Sequence, residues 1–313
     1  MTVPIISIEE AIELLKNEKI VALPTETVYG LAGRSDSTLA NDLIYLAKNR
    51  PKSRPLINHF KNAELAFASG VDVQDYAYEL AEKFWPGPLT LVIDTKNTTS
   101  AVRVPNNPIF QAILDHFPNG LFAPSANLYS KVTPTKPQHV IDDYAESNVV
   151  SGVVDGGEKS CEIGIESTIV SCVEPEPIVL RYGATSQSQI QEAIGIRPKY
   201  HLDVEYKKII TSGMDSKHYS PDIEVVAIET LDEVLTFKNM GVIGIDIEHH
   251  ISSQVKFIAS YKNIEDMAAN LYSDFRTCEK EMVKKLYVLL PNQNENNGLI
   301  MAVRDRVIRA SSN

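Results

Sequence analysis

The sequence predicts an α/β protein, with a mixed sheet in its longer first part and a smaller, mostly parallel, three-layer α/β domain at its carboxyl end. Segments with helical spacing of apolar residues alternate with short apolar strands along the whole chain. Two pairs of strands, 89–94 with 101–104 and 166–171 with 178–181, follow each other without a helix between them. Because strands joined without a crossover helix run antiparallel, the first part does not fit a simple doubly wound sheet.

The elements of the first part follow from caps, breakers and periodicity. Ser7 and Glu10 form a capping box ahead of a one-sided apolar pattern, which predicts a helix from about 8 to 17. Pro24 ends the next strand, and the segment 24–34 is predicted to be a loop. Other strands are predicted near 20–23, 56–60, 89–94, 101–104, 121–123, 149–154, 166–171 and 178–181, and other helices near 36–48, 72–84, 106–116, 137–145 and 186–194.

The sequence turns polar and irregular between Tyr206 and Pro221, where glycine and proline interrupt any periodic pattern. We therefore predict a first domain at 1–205, a linker at 206–221 and a second domain at 222–313. The second domain is predicted to contain strands at 224–228, 242–246 and 284–290, and helices at 231–238, 263–276 and 298–309.

Composition limits the classes of function. Hydrophobic residues make up 43% of the chain, which predicts a packed globular protein. The net charge of −11 argues against a surface that binds polyanions everywhere, so any phosphate site must be a local basic patch. The three cysteines have no CxxC spacing, which indicates neither a disulfide framework nor a zinc site. The amino terminus has no pattern of an export signal and no long apolar run occurs, so we expect a cytoplasmic protein.

A stiff basic loop is the first candidate for ligand binding. Lys48, Arg50, Lys52 and Arg54 lie within seven positions, and the prolines among them prevent the preceding helix from continuing. Guanidinium groups bind phosphate oxygens in pairs, and lysine adds a point charge. The loop therefore suits the phosphates of a nucleotide or RNA, although a short run of charge is also compatible with a merely solvated surface.

Two polar loops follow predicted strands. Residues 24–33 combine hydroxyl side chains with two glycines, and residues 123–127 offer a hydroxyl and an amide. Each segment taken alone is compatible with an ordinary turn. A string similar to a P-loop at 152–160 is rejected, because Glu158 stands where that motif requires lysine. No GxGxxG string, catalytic triad or HExxH string is present, and the seven histidines show no metal-ligand spacing beyond the adjacent pair at 249 and 250.

The ordered set of these strings resembles the YrdC-type threonylcarbamoyl-AMP synthase family in its long, two-domain form. The first part carries, in order, PTETVYGL, the basic loop with a following His59, WPGPLTLV, VRVP, APSAN, and GIESTIV followed by LRYG. The linker carries a GMxxxHYxP segment that ends at Pro221. This resemblance covers nearly the whole chain. It departs from the family pattern at Tyr129–Ser130, where a small Ser-Gly pair is usual, and at positions 212, 215 and 216 of the linker.

The resemblance implies a fold, a reaction and a set of site residues. The fold is a YrdC-like twisted mixed sheet around a concave cavity, with a smaller Rossmann-like domain and a linker that acts as a lid. The reaction joins L-threonine, bicarbonate or CO2, and ATP into threonylcarbamoyl-AMP and pyrophosphate, for a tRNA modification. Threonine is expected to be bound by Thr27, His59, Arg103, Ala123 and Ser167. ATP is expected to be bound by Arg50, Arg54, Thr99, Ser125, Thr133 and Arg181. The residues expected to act on the reacting phosphate are Lys48, Arg50 and Arg54.

Magnesium is expected to accompany ATP without dedicated protein ligands, because it commonly keeps its waters. Separate machinery that transfers the product to tRNA is an expected partner. Two alternatives stay open: an enzyme that forms carbamoyl-adenylate from carbamoyl phosphate, and a module that binds double-stranded RNA through a concave basic surface. The first normally carries an additional large domain, and the acidic net charge counts against the second.

Overall fold

The computed structural model describes residues 2–157, 160–201, 219–231, 239–247, 255–294 and 296–311. Within these ranges the chain forms two sheets with helices packed against them. One sheet has eleven strands of mixed direction and the other has four parallel strands. The predicted fold class, a mixed α/β protein with a second parallel sheet, is confirmed.

The first sheet contains all strands of the first part of the chain. These are β1 Ile5–Ile6, β2 Ile20–Leu23, β3 Gly30–Arg34, β4 Ile57–His59, β5 Leu89–Asp94, β6 Thr99–Arg103, β7 Leu121–Phe122, β8 Val150–Val154, β9 Thr168–Ser171, β10 Ile178–Arg181 and β11 Lys199–Tyr200. Their order across the sheet is β1-β8-β2-β3-β7-β4-β6-β5-β9-β10-β11. Neighbouring strands alternate irregularly between parallel and antiparallel pairing, as the runs of strands without helices predicted.

The helices of the first part pack on this sheet. They are α1 Ile8–Lys16, α2 Thr38–Lys48, α3 Ala63–Phe67, α4 Asp75–Phe84, α5 Pro108–Leu114, α6 Pro137–Asp143 and α7 Gln187–Ile194. The predicted capping box of α1 is present: the Ser7 hydroxyl accepts from the Glu10 backbone N–H, and the Glu10 carboxylate accepts from the Ser7 N–H. Local sequence therefore determines where this first helix begins.

The second sheet contains β12 Glu224–Ile228, β13 Gly241–Ile245, β14 Phe257–Tyr261 and β15 Lys285–Leu289, in the order β12-β15-β13-β14. Two helices, α8 Ile264–Lys280 and α9 Gly298–Ser311, pack together on one of its faces. The predicted helix at 231–238 lies outside the described residues after position 231, and so does the linker at 206–221 as far as residue 218. The domain boundaries stay a prediction.

Some elements differ from the sequence-based expectations. Residues 24–34 were expected to form one loop, but Gly30–Arg34 is a strand that pairs antiparallel with β2. Its two glycines normally indicate a turn, so the short apolar run was not recognised as a strand of the sheet. The strand expected to begin at 166 begins at Thr168, because residues 166 and 167 turn into the cavity described below. The short helix α3 and the strands β1, β11 and β14 were not predicted.

The second part of the chain shares a hydrophobic core with the first. Val28, Val132 and Ile165 belong to the same buried cluster as the apolar faces of α8 and α9. Because these three residues lie in loops next to the predicted substrate residues, the helices of the second part pack directly behind the candidate site. Among the described residues, no helix is both long and apolar enough to span a membrane.

A buried histidine, His139, predicts how stability depends on pH. Burial, with the charge of Arg276 next, lowers the pKa of His139 from 6.5 to about 3, and the Nδ1 atom of this imidazole accepts a hydrogen bond from the Thr135 N–H. Between these two values the unfolded chain binds a proton that the folded chain does not. The free energy of unfolding should therefore fall as pH falls through this window.

The variant His139→Gln keeps an acceptor for Thr135 and removes this titration. We expect the free energy of unfolding, measured by urea denaturation from about pH 6 to about pH 4, to fall less steeply by about 1 kcal/mol per pH unit than in the parent. The exposed His116 offers a matched control, since His116→Gln should leave the slope as it is. Equal slopes for the parent and His139→Gln would contradict the assignment.

Candidate active site

A cavity opens between the β2–β3 loop, the basic loop after α2, and the ends of β6, β7 and β10. Its lining comprises Thr27, Val28, Lys48, Arg50, Ile57, His59, Arg103, Ala123, Pro124, Ser125, Asn127, Tyr129, Ser130, Glu166, Ser167, Arg181 and Tyr219. Four basic side chains and one acidic side chain are in this set, although the whole chain is strongly acidic. The cavity is thus a local positive patch, as a phosphate site in an acidic protein requires.

The cavity brings together most of the residues predicted from the sequence. Those that line it are Thr27, Lys48, Arg50, His59, Arg103, Ala123, Ser125, Ser167 and Arg181. Three predicted residues do not line it: Arg54, Thr99 and Thr133. Thr99 begins β6 and Arg103 ends it, so the two residues lie about 13 Å apart along the strand. Thr133 lies directly behind the lining, because its hydroxyl donates to Oε1 of the lining residue Glu166 at 2.6 Å.

Two hydrogen bonds hold the Arg103 guanidinium, and its remaining nitrogen, Nη2, makes none among the described residues. Its Nε donates to the Gly87 carbonyl at 3.1 Å, and its Nη1 donates to the Thr27 hydroxyl at 3.1 Å. Its Nη2 lies 2.7 Å from a carboxylate oxygen of the buried Glu26, but at an angle that does not make a hydrogen bond. Among the described residues, that nitrogen has a charge partner but no hydrogen-bond acceptor. It can therefore donate to an anionic group in the cavity.

Lys48 ends helix α2 with a fully buried ammonium group. Its Nζ donates to the backbone carbonyls of Ser125 and Asn127, on the loop that follows β7. Burial, with the charge of Arg50 next, lowers the pKa of this lysine well below its ordinary value. The two carbonyl acceptors satisfy the ammonium while it is charged. Lys48 thus fixes the Ser125 loop at the edge of the cavity.

Backbone carbonyls of the basic loop hold the Arg50 side chain in place. Asn49 ends α2 in the left-handed region at φ 51°, which asparagine tolerates, and turns the chain toward the cavity. The Arg50 guanidinium then donates to the carbonyls of Arg54 and Pro55 at 3.2 and 3.0 Å, and it lies 6.0 Å from the ring of Tyr129. The loop's own backbone therefore orients the first guanidinium of the K-x-R-P string.

His59 faces the cavity as a neutral imidazole. Burial and then the charge of Arg103 lower its pKa from 6.5 to about 3. Its ring lies 5.3 Å from that of Phe110, and among the described residues its Nδ1 has no hydrogen-bond partner. An uncharged nitrogen beside Arg103 can accept or donate one hydrogen bond to a polar ligand without adding charge.

Ser167, which directly precedes β9, and Arg181, which ends the neighbouring strand β10, form one wall of the cavity. The Arg181 guanidinium donates to the Ser167 carbonyl at 3.0 and 2.9 Å and to its hydroxyl at 3.1 Å. The Ser167 hydroxyl also shares a hydrogen bond with the Thr90 hydroxyl at 2.8 Å. Gly183 lets the strands approach, because a Cβ there would lie 2.2 Å from the backbone nitrogen of Thr168. Backbone and side chain together therefore orient this pair.

Three of the lining residues that were not among the predicted site residues make contacts that matter here, out of eight such residues in all: Val28, Ile57, Pro124, Asn127, Tyr129, Ser130, Glu166 and Tyr219. Asn127, whose amide the sequence analysis noted, contributes its backbone carbonyl to Lys48. Glu166 accepts hydrogen bonds from Thr133, Tyr272 and Arg306, and Tyr219 of the predicted linker completes the lining. Glu166 was visible in the sequence as an acidic residue at the start of an otherwise apolar strand. Tyr219 was visible in the linker string, but nothing in the sequence placed it against the cavity.

Comparison with known proteins gives this geometry a family. A family model for Sua5, YciO and YrdC proteins, described as "Telomere recombination", matches residues 13–183. The chain belongs to the Sua5/YciO/YrdC family. A second model, described as "Threonylcarbamoyl-AMP synthase, C-terminal domain", matches residues 185–312. The resemblance stated from the sequence strings is thereby confirmed.

Individual members of the family resemble this chain over nearly their full length. A protein of Bacillus subtilis (strain 168) named threonylcarbamoyl-AMP synthase is 32% identical over 97% of this chain and 92% of its own length. A protein of the same name from Pyrococcus abyssi is also 32% identical, over 98% of this chain and 97% of its own. The solved structure of P. abyssi Sua5 complexed with L-threonine has a TM-score of 0.85 and 31% identity, and covers 97% of this chain and 94% of that one.

Proposed function

We propose that this chain is a threonylcarbamoyl-AMP synthase, which joins L-threonine, bicarbonate or CO2, and ATP into threonylcarbamoyl-AMP and pyrophosphate. It is an enzyme of the nucleotidyl-transferring kind. The observation that supports the proposal most strongly is the convergence of predicted threonine and ATP residues on one basic cavity. The named relatives and the threonine complex of the P. abyssi protein support the same substrates.

Threonine is proposed to bind where Arg103, Thr27 and His59 meet. The threonine carboxylate would accept from Arg103 Nη2, which lacks an acceptor among the described residues. The threonine hydroxyl needs partners that both donate and accept, which Thr27 and the neutral His59 offer. Cations around the site disfavour an ammonium group there, so the bound amine should lose its proton more readily than in water.

ATP is proposed to bind against the basic loop and the opposite wall. Arg50, Arg181 and Ser125 all line the cavity, so two guanidinium groups and a hydroxyl are available to the nucleotide. Arg54, Thr99 and Thr133 stay proposals for ATP contacts that lie outside the present lining. Lys48, which already binds two carbonyls, would act on phosphate chiefly by fixing the Ser125 loop.

The chemistry needs no covalent enzyme intermediate. The deprotonated amine adds to CO2, or to bicarbonate with loss of water, and gives a carbamate. A carbamate oxygen then attacks the α-phosphorus of ATP, the bond to the bridging oxygen breaks, and pyrophosphate leaves. The chain contributes by positioning three substrates and by placing positive charge beside the developing negative charge.

Magnesium is proposed to enter with ATP and to neutralise phosphate charge. The described residues contain no cluster of three or more His, Cys, Asp or Glu side chains that could hold a metal ion. Glu166 is committed to Arg306, and Glu26 is in charge contact with Arg103, so neither carboxylate suits a metal ligand. The site therefore fits an ion bound by phosphate oxygens and water.

The deciding experiment measures pyrophosphate release from ATP with the purified full chain. Release that requires both threonine and bicarbonate, with a product whose mass is that of threonylcarbamoyl-AMP, would establish the proposal. Serine in place of threonine is the matched substrate control. Product formation from carbamoyl phosphate alone would favour a carbamoyl-adenylate enzyme, and salt-dependent RNA binding without nucleotide chemistry would favour an RNA-binding module.

Arg54 gives a specific prediction for the basic loop. If its side chain contacts the triphosphate, Arg54→Ala should lower kcat/KM for ATP by about a hundredfold, since a charge-assisted contact to phosphate is lost. Lys52→Ala in the same loop is the comparison, because Lys52 is largely exposed and paired with Asp42. Pyrophosphate release by Arg54→Ala at the parent rate, in a protein with unchanged circular dichroism, would remove the residue from the site.

The product must then be handed to an enzyme that transfers the threonylcarbamoyl group to tRNA. We propose such transfer machinery as a downstream partner and the cytoplasm as the place of action, because tRNA modification requires both. We also propose the division into 1–205, 206–221 and 222–313, with the linker as a lid. Tyr219, the first described residue of this linker, lines the cavity and supports a role for the linker at the site.

A further inference from the structure

A buried arginine connects the second part of the chain to the wall of the cavity. Arg306 of α9 has no exposed surface. Its Nε donates to Glu166 Oε2 at 3.2 Å, and its Nη2 donates to the Tyr182 carbonyl at 2.9 Å. Glu166 precedes Ser167, and Tyr182 follows Arg181. One guanidinium from the second part therefore contacts the residue before Ser167 and the residue after Arg181.

Other contacts fix this guanidinium in place. Its Nη1 donates to Asp305 at 2.7 Å, which balances its charge. The ring of Tyr219, which lines the cavity, lies 4.9 Å from its central carbon. Helix α9 begins at Gly298, where a Cβ would lie 2.5 Å from the carbonyl oxygens of residues 183 and 184. The helix is thus seated on the turn after β10, and Arg306 cannot move independently of that turn.

Glu166 connects Arg306 to residues of both predicted substrate sites. Its Oε2 accepts from Arg306 and also from the Tyr272 hydroxyl of α8 at 3.0 Å. Its Oε1 accepts from Thr133, a predicted ATP residue, at 2.6 Å. Its backbone continues directly into Ser167, a predicted threonine residue. Glu166 therefore links two helices of the second part to two predicted substrate residues of the first.

The electrostatics of the cluster require the arginine. Burial opposes the charged form of Glu166, but the charges of Arg306 and Arg181, with the Thr133 hydroxyl, hold the pKa of its carboxyl below the ordinary value. Without Arg306, the buried carboxylate would either take up a proton or draw Arg181 away from Ser167. Either change would disturb the wall of the cavity.

We propose that Arg306 is a positioning residue for the reaction. Through Glu166 it orients Thr133 and Ser167, and its guanidinium, which lies over the ring of Tyr219, holds that ring at the cavity. The proposal rests on the proposed function for the identity of the two substrates. It gives the second part of the chain an indirect role in substrate binding, since Arg306 of α9 and Tyr272 of α8 supply donors that hold Glu166.

The test compares Arg306→Lys with the parent in steady-state kinetics. Lysine keeps the charge but cannot donate to Glu166 and Tyr182 at once or stack on Tyr219 as a plane. We expect the KM for ATP and the KM for threonine both to rise about tenfold, with a smaller change in kcat. Arg304→Met is the matched control on the same helix, because Arg304 pairs with Glu229 and the Pro291 carbonyl and should leave both constants unchanged.

Three further variants separate positioning from mere stability. Tyr272→Phe keeps the buried ring and removes one hydroxyl donor to Glu166, so both KM values should rise about threefold in a protein that still folds. Arg306→Met should shift the acid limb of the pH dependence of kcat/KM to higher pH, and Arg306→Met combined with Glu166→Gln should return that limb to the parent position. A lower melting temperature in Arg306→Lys and Tyr272→Phe with both KM values unchanged would overturn the proposal.

Binding of each substrate measured by calorimetry keeps this test independent of the reaction. If the parent releases no pyrophosphate, the proposed function fails, whereas the affinities of parent and variants for threonine and for ATP still decide the role of Arg306. Weaker binding of both ligands in Arg306→Lys and in Tyr272→Phe would support the positioning role. Equal binding in the parent and in folded variants would refute it.

Discussion

Replacing Arg103 with methionine is expected to lower kcat/KM for threonine by about two to three orders of magnitude, because the loss of one partner of a buried charge pair costs about 2–5 kcal/mol. The side chain is 5% exposed and lines the cavity, and among the described residues its Nη2 makes no hydrogen bond, although it lies 2.7 Å from a carboxylate oxygen of Glu26. Methionine fills a similar volume but offers no donor to a carboxylate. The KM for ATP should change much less, since Arg103 contacts the threonine side of the site.

The same replacement leaves Glu26 without its charge partner, so a loss of folding must be separated from a loss of binding. Combining Arg103→Met with Glu26→Gln removes both charges and should recover the melting temperature without recovering threonine binding. Arg34→Met is a matched control, because Arg34 pairs with Asp36 at a partly exposed site. If the double variant used threonine as well as the parent does, Arg103 would not bind the carboxylate.

Arg103 also illustrates what the sequence could supply about the site. Its identity was predicted because it stands at the end of a strand inside a family string. Its partner Glu26 belongs to another string of the same family, yet nothing in either string tells that the two side chains meet. Glu26 lies in the loop before β3 and Arg103 ends β6, and the two meet because β3, β7, β4 and β6 lie side by side in the sheet, an order that is a long-range property. Single residues could therefore be predicted where pairs could not.

The fold was predictable to the extent that its signals were local. The Ser7 capping box and the apolar spacing of α8 define helices whose bounds the structure reproduces within a few residues. The strand Gly30–Arg34 was missed, because two of its five residues are glycines, which normally indicate turns. Its strand character comes from pairing with β2 and β7 in the middle of the sheet.

Residues from the second part show the same limit more clearly. Arg306 lies in a helix with several charged neighbours, and the sequence gives no reason to single it out from Arg304 or Arg309. Its complete burial depends on α9 packing against the turn after β10, far away in sequence. A buried arginine is stable only where acceptors surround it, so its role follows from tertiary contacts alone.

Lys48→Met is expected to reduce kcat/KM for ATP by about a hundredfold, the second large effect at this site. The sequence predicted that Lys48 contacts phosphate. In the structure its ammonium donates instead to two backbone carbonyls of the Ser125 loop. Methionine would leave both carbonyls buried without donors, at a cost of about 1–3 kcal/mol each. The loop should then rearrange, and Ser125 should leave its place opposite Arg50.

This prediction distinguishes a lysine that fixes a loop from one that contacts phosphate. If Lys48 acts on the loop, Lys48→Met should lower the melting temperature together with ATP affinity, and hydrogen exchange at residues 124–128 should increase. If it contacts phosphate alone, ATP affinity should fall while exchange in that loop stays at the parent rate. Lys61→Met is the control, since Lys61 pairs with Asp115 at the surface. Unchanged exchange in Lys48→Met would therefore return Lys48 to the role of a phosphate ligand, because the two loop carbonyls are the hydrogen-bond acceptors of its ammonium among the described residues.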